Sequence, residues 1–433
     1  MIRRNGAKWD PMCACVRLRP VVSVLLSSVI AILLTARESA AHAKLQTASP
    51  PANSQLDQSP SEIKLSFTEP IEVRLSKITV RSAKQSQAPS VSSVPGDRRS
   101  CIAGLTPLKA GAYVVDWQVV SSDGHATSGS YSFTIREHET QAPAVTQPEE
   151  PMGLPPPPPP DPSRREMAAR WLFIAGVALL LGAAVASAAS FGGDGDITVA
   201  ATGWAIAAVG IVLLGDAQRR AAAASYDELM QTTIGHALIW RGAALAAAAA
   251  ALIAARAGAP RLGAMMLVAT SALASIAVHS AAGHAAAVER YSFAAIGLQS
   301  VHFAAAGVWF GGLAALLAGT RGHPDAAKTT AVRRYSSLAG VALATVGVTG
   351  VLRTVQELSS WRQLASTDYG EAALAKGVLL VAIAAFGALN RWRSVPAAPT
   401  DLRPLRRVAL IELGLMTVAL AVAAILATLA PPE

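Results

Sequence analysis

Eight apolar runs, near residues 167–190, 197–215, 233–256, 261–282, 294–319, 335–356, 371–390 and 406–429, dominate the second part of this 433-residue chain. Each is about the 20 residues needed to cross the hydrocarbon core of a bilayer, so the segment 166–433 is read as an all-α polytopic membrane bundle. Hydrophobic residues make up 52% of the chain and charged residues only 15%, and the excess is concentrated after residue 165. The net charge of +9 is then explained by arginines flanking membrane runs, and a nucleic-acid partner is excluded.

The N-terminus has a different character. Arg3, Arg4, Lys8, Arg17 and Arg19 precede the short apolar run Val21 to Leu34, and Ser39-Ala40-Ala41 follows. A basic flank, a short apolar core and a small-residue exit describe a secretory signal peptide over 1–41. A retained anchor helix is the rival reading, and the run is short for a span. Cleavage after Ala41 leaves His42 as the first residue.

Residues 42–138 read as a small all-β domain. Ile63, Leu65 and Phe67 alternate with polar neighbours, as do Tyr113, Val115, Trp117 and Val119, and then Tyr131, Phe133 and Ile135. Period-2 alternation places one face of each strand on a core, and the spacing of the turn residues fits a β-sandwich. Residues 139–165, with the unbroken run Pro155 to Pro160, form a semi-rigid linker.

An exported β domain starts the first membrane helix outside. The loops near 257–260, 320–334 and 391–405 then lie inside, and they and their flanks carry Arg256, Arg261, Arg321, Lys328, Arg333, Arg334, Arg391 and Arg393. The opposite loops carry fewer basic residues, so the positive-inside rule agrees with the signal peptide. The expected location is the bacterial inner membrane, multi-pass, with the N-terminal domain and the C-terminus in the periplasm.

A mature chain starting at His42 offers an α-amine and an imidazole from one residue, an arrangement suited to Cu(II), which favours tetragonal nitrogen and oxygen sites. Asp123-Gly124-His125 adds a carboxylate and a second imidazole at i and i+2, and Gly124 allows an unusual backbone angle. Read alone, that tripeptide is more often a turn than a metal site. Together His42, Asp123 and His125 supply three nitrogens and one oxygen. Of the cysteines, Cys13 and Cys15 fall in the leader and Cys101 stands alone, which leaves no thiolate pair for a metal.

In the membrane half the topology puts His236, His279, His284 and His302 towards the outer side, with His302 about two turns into its helix. A histidine inside a membrane segment is costly unless paired or functional. His279 and His284 are five apart and diverge by about 140° on a regular helix, so both face one ion only where the helix ends near Gly283. Interhelical hydrogen bonding is the bland alternative for each. Gly307 and Gly311 allow close packing, Trp309 shares a face with His302, and Arg353 and Glu357 are spaced as an ion pair. Lys376 and Glu412 either pair across helices or snorkel.

Two stretches carry a family resemblance. His42-Ala43-Lys44-Leu45, Ser49-Pro50-Pro51-Ala52-Asn53, Leu65-Ser66-Phe67-Thr68-Glu69-Pro70 and Trp117 through His125 resemble the CopC copper-binding domain. The resemblance implies a cupredoxin-like or Ig-like sandwich with Cu(II) on His42, Asp123 and His125, and Glu69 behind them or as a weak ligand. Residues 42–137 contain no methionine, the thioether ligand that Cu(I) selects, so a Cu(II)-only domain is expected. Gly283-His284-Ala285-Ala286, His302, Trp309 through Leu313, Arg334 through Ala339, Thr349-Gly350, Thr367 through Gly370, Lys376, Asn390-Arg391 and Glu412 resemble the CopD copper-resistance membrane domain. That likeness implies a copper path past His284 and His302, with Cu(I) or Cu(II) in the bundle. His279 and His236 join it on the topology argument alone.

No Walker loop or P-type ATPase signature occurs. The expectation is therefore a binding and transport protein, not an enzyme. It captures periplasmic copper and passes it across the inner membrane, inward, in copper homeostasis or resistance. The expected partners are the copper ion, membrane lipid, and periplasmic or cytoplasmic copper chaperones. Two alternatives stand beside it: a membrane haem protein transferring electrons or reducing copper, with His279 and His302 as axial ligands, and a copper buffer or sensor without transport.

Overall fold

A computed structural model of the chain describes residues 43–83, 85–122, 124–136, 164–282, 292–321, 325–358, 360–426 and 429. The expected leader, most of the expected linker, His42, Asp123 and His284 lie outside the described residues.

The alternating stretches become strands with the alternating side buried. Among the described residues, nine strands form two sheets: β1 Leu45–Ser49, β2 Ser54–Leu56, β3 Glu62–Phe67, β4 Lys77–Arg81, β5 Ser86–Gln87, β6 Val91–Val94, β7 Asp97–Gly104, β8 Gly111–Val120 and β9 Ala126–Ile135. One sheet has the order β1-β3-β7-β6 and the other β2-β9-β8-β4-β5. Ile63, Leu65 and Phe67 meet Val115, Trp117 and Phe133 in the core between them. Two aromatic pairs set its geometry: Phe67 stands edge-on to Trp117 at 5.2 Å, and Tyr113 stacks on its cross-strand neighbour Phe133 at 5.6 Å. The Tyr113 hydroxyl also donates to the Lys109 carbonyl at 2.9 Å, closing the entry to β8. Cys101 is fully buried in this core, and burial pushes its thiol up to about 11.

The apolar runs become helices. These are α1 Arg164–Phe191, α2 Thr198–Ala221, the short α3 Tyr226–Met230, α4 Thr233–Arg256, α5 Arg261–Ala281, α6 Ser292–Gly319, α7 Ala326–Glu357, the short α8 Gln363–Ser366, α9 Asp368–Leu389 and α10 Arg403–Leu426. Eight of them are long and apolar enough to cross a membrane. Two boundaries differ from the hydropathy reading by more than one helical turn. Helix α7 starts at Ala326 instead of near 335, because Asp325 caps it by accepting from the Lys328 amide at 2.8 Å. Helix α2 runs on to Ala221, where Asp216 pairs with Arg219 at 3.2 Å and with Arg220 at 2.7 Å.

Helix α1 is the axle of the bundle. A Cβ on Gly176 would overlap the backbone of Gly203 and Ala207 in α2, and one on Gly182 would overlap Gly307 and Gly312 in α6. Gly311 in turn lies against the Ala178 carbonyl. The close approach expected of Gly307 and Gly311 is thus made against α1. Hydrogen bonds cross the helices where side chains can reach a carbonyl: Trp204 donates to Leu245 at 2.8 Å and Tyr335 to Trp309 at 2.5 Å.

The sandwich rests on one end of the bundle. Leu75, Val120 and Ala126 pack with Ala169, Leu214, Leu229, Ile234 and Leu238 from the start of α1, the end of α2, α3 and the start of α4. Around this apolar contact, Lys77 donates to the Ala223 carbonyl at 3.0 Å, Gln118 to Ala221 at 2.9 Å and Arg74 to Gln231 at 3.1 Å. Thr233 bonds Glu72.

Two outcomes test this packing. Gly182→Ala should destabilise the bundle by about 1–3 kcal/mol through overpacking, lowering the melting temperature in detergent; an unchanged melt would contradict the α1–α6 contact. Cys101 should resist alkylation at pH 8 in the native chain, since only about one thiol in a thousand is then ionised. Mass spectrometry of the labelled protein reads this, and modification as fast as in the unfolded chain would contradict the buried placement.

Candidate metal centre

Three segments meet at one end of the sandwich. Lys44 and Thr68 are joined by a pair of 3.0 Å hydrogen bonds, so the chain that follows His42 runs beside the segment holding Glu69. Pro70 accepts from the Ser122 amide at 3.0 Å, and Ile71 bridges Ser121. Ser121 donates to the His125 carbonyl at 2.8 Å across the turn between β8 and β9. In that turn Gly124 has φ +95°, a conformation that side chains with a Cβ disfavour, and a Cβ there would strike Gln218 of α2. Gly124 and His125 of the expected metal-binding tripeptide thus lie against the helical domain.

His125 is 3% exposed. Its Nε2 lies 3.8 Å from the Glu166 carboxylate on the first turn of α1, and Arg170 donates to the same oxygen through Nη2 at 2.8 Å and Nε at 3.1 Å. Glu69 is half-buried just past β3. Of the expected ligands, His125 and Glu69 are therefore described at the converging end, while His42 and Asp123 are not described. Among the described residues no group of three or more His, Cys, Asp or Glu is gathered as a metal site. Glu166 and Arg170 were missed in the sequence. Their only signal there is a carboxylate and a guanidinium four apart at the head of an apolar run.

The membrane histidines occupy distinct surroundings. His236 is exposed on the α4 face that also carries exposed Ile239 and Trp240. His279, at the sandwich end of α5, packs against Phe173 at 5.7 Å and Phe303 at 5.6 Å. His302 in α6 is 4% exposed, and its ring centroid lies 6.2 Å from that of its chain neighbour Phe303. His284 is outside the described residues.

The hydrogen bonds of His302 fix its tautomer. The Thr349 hydroxyl donates to the Thr345 carbonyl at 2.6 Å, so at 2.8 Å it accepts from the His302 Nδ1–H. The Nε2 lone pair then faces the Lys376 ammonium at 3.4 Å. A cation taking that lone pair must displace Lys376. Arg353 and Glu357, expected as a pair, are joined at 2.5 Å one turn nearer the sandwich end. All four side chains line a cavity of about 320 Å³. Glu412 does not reach Lys376; it accepts from Asn390 at 2.7 Å in a second cavity of about 200 Å³. Trp309 lines both. The two cavities occupy opposite halves of α7, the first beside Arg353 and the second beside Ser336.

The comparisons with known proteins fall on the same two parts of the chain. The family model of the CopC domain matches residues 45–136, and that of copper resistance protein D matches residues 329–426. The second match includes Lys376, Asn390 and Glu412 but begins after His302. Protein YobA of Escherichia coli (strain K12) is 36% identical over 102 residues, 22% of this chain and 80% of that protein. Copper resistance protein C of Escherichia coli is 39% identical over 105 residues, 22% of this chain and 82% of that protein. Among solved structures, CopC from Methylosinus trichosporium OB3b is 31% identical, covering 23% of this chain and 100% of that one, with a TM-score of 0.22. PcoC, a methionine-rich copper resistance protein from Escherichia coli, is 36% identical over 22% of this chain and 100% of its own, with a TM-score of 0.20. The chain therefore belongs to the CopC family, and in one polypeptide it carries a CopC domain followed by a copper resistance protein D domain.

Proposed function

We propose that this chain captures Cu(II) on its sandwich outside the bacterial inner membrane and passes copper through the bundle into the cell. The observation that carries the reading is the docking of the His125 end of the CopC domain onto a bundle with two cavities that share Trp309 in their walls. After removal of residues 1–41, the His42 amine and imidazole, Asp123 and His125 hold the ion in a nitrogen-rich tetragonal site. Glu69 supports it from behind. His279 and His284 line the entrance. His302 receives copper in the outer cavity, where Lys376 gives way as the ion takes Nε2. His236 is the weakest member of the path, since its face is exposed.

Trp309 then separates an outer chamber with His302 from an inner one with Tyr335, Asn390 and Glu412. Movement down a gradient, completed by capture on a cytoplasmic chaperone, suits a chain without an ATP-binding motif. The haem reading needs His279 and His302 to face one plate, yet both pack against the ring of Phe303.

Loss of His125 in the full chain should weaken Cu(II) binding by at least about 100-fold, because even partners standing behind a metal ligand cost about 10–100-fold. A residue added before His42 should do the same, and a competition titration showing unchanged affinity in both variants would overturn the site. In cells, deletion of the chain and His302→Ala should each lower copper accumulation. Unchanged accumulation in both would favour the buffer reading, and a rise would reverse the direction.

A further inference from the structure

Glu166 and Arg170 are 6% and 7% exposed, where the His125 end of the sandwich meets the first turn of α1. Removing such a pair from water costs several kcal/mol per ion, so stability alone is a poor reason to build it there. The oxygen that Arg170 holds, Oε1, is also the atom 3.8 Å from the His125 Nε2. First-row divalent ions sit about 2 Å from imidazole nitrogen and from carboxylate oxygen. A separation of 3.8 Å is just under the sum of two such bonds. One ion can touch both atoms, nearly between them, without movement of either backbone.

We infer that Glu166 is a copper ligand supplied by the membrane domain, which takes hold of the ion while His125 still binds it. The inference rests on the reading that His125 ligates copper, and it adds the step by which the ion leaves the sandwich. Arg170 has a defined part in it. Its guanidinium competes with the metal for Oε1, which keeps the carboxylate a weak ligand, and it reclaims that oxygen when the ion moves on. Ligand exchange of this kind needs no change in oxidation state: one metal–nitrogen bond breaks as one metal–oxygen bond forms.

Electron paramagnetic resonance of the Cu(II)-loaded full chain, with a competition titration, tests this on Glu166→Gln, Arg170→Gln and His125→Ala. Glu166→Gln should shift the copper hyperfine splitting and weaken binding about tenfold. Arg170→Gln, which frees the carboxylate from its competitor, should tighten binding. Were the two residues only a structural pair, both variants would loosen the docking alike, and changes of the same sign would overturn the inference. So would a Glu166→Gln spectrum and affinity identical to the native chain while His125→Ala abolishes binding. Retained binding in His125→Ala would instead remove the sandwich site on which the inference stands.

Discussion

The contact between the β8–β9 end of the sandwich and the first turn of α1 organises this molecule. Leu75, Val120 and Ala126 pack with Ala169, Leu214, Leu229, Ile234 and Leu238, and at the same junction lie buried His125, Glu166 and Arg170. Apolar burial supplies the adhesion, since each square ångström removed from water contributes roughly 25 cal/mol. Excluding water also strengthens every electrostatic interaction at the centre. The apolar contact therefore fixes where the sandwich sits, and burial sets the dielectric in which a metal on His125 would meet Glu166.

A second constraint comes from the bilayer. Helices in hydrocarbon gain nothing from hiding leucine from lipid, so their association relies on close backbone approach and on hydrogen bonds. Gly176, Gly182 and Gly311 bring α1 against α2 and α6, and Tyr335 and Trp204 tie neighbouring helices through carbonyls. The α7, α9 and α10 side of the bundle is looser, and both cavities open there. His302 and Trp309 stand in α6 between the close contact with α1 and the two cavities.

Much of this was legible in the residues because it follows from local period. Alternation at 63–67, 113–119 and 131–135 became buried strand faces, and eight apolar runs became eight helices. Arg353 and Glu357 paired at their helical spacing. What escaped depends on contacts between distant segments. Nothing near His302 announces Lys376, which lies 74 residues away. Glu412 resembles a partner for that lysine, yet Asn390 at the turn below α9 reaches it first. Glu166 and Arg170 look like an ordinary solvent-facing helix pair until a second domain is set on them. The start of α7 was missed because hydropathy sees where a helix enters lipid, whereas a cap such as Asp325 decides where it begins.

The central claim, that the copper of the sandwich is held at the junction with the bundle, has a direct measure. A nitroxide attached at Trp240→Cys, on the exposed side of α4, reports its distance to bound Cu(II) by dipolar spectroscopy, and buried Cys101 stays unlabelled. The account predicts one narrow distance, matching a sandwich docked on the start of α4. A broad spread of distances, from a sandwich swinging freely on its proline tether, would contradict it.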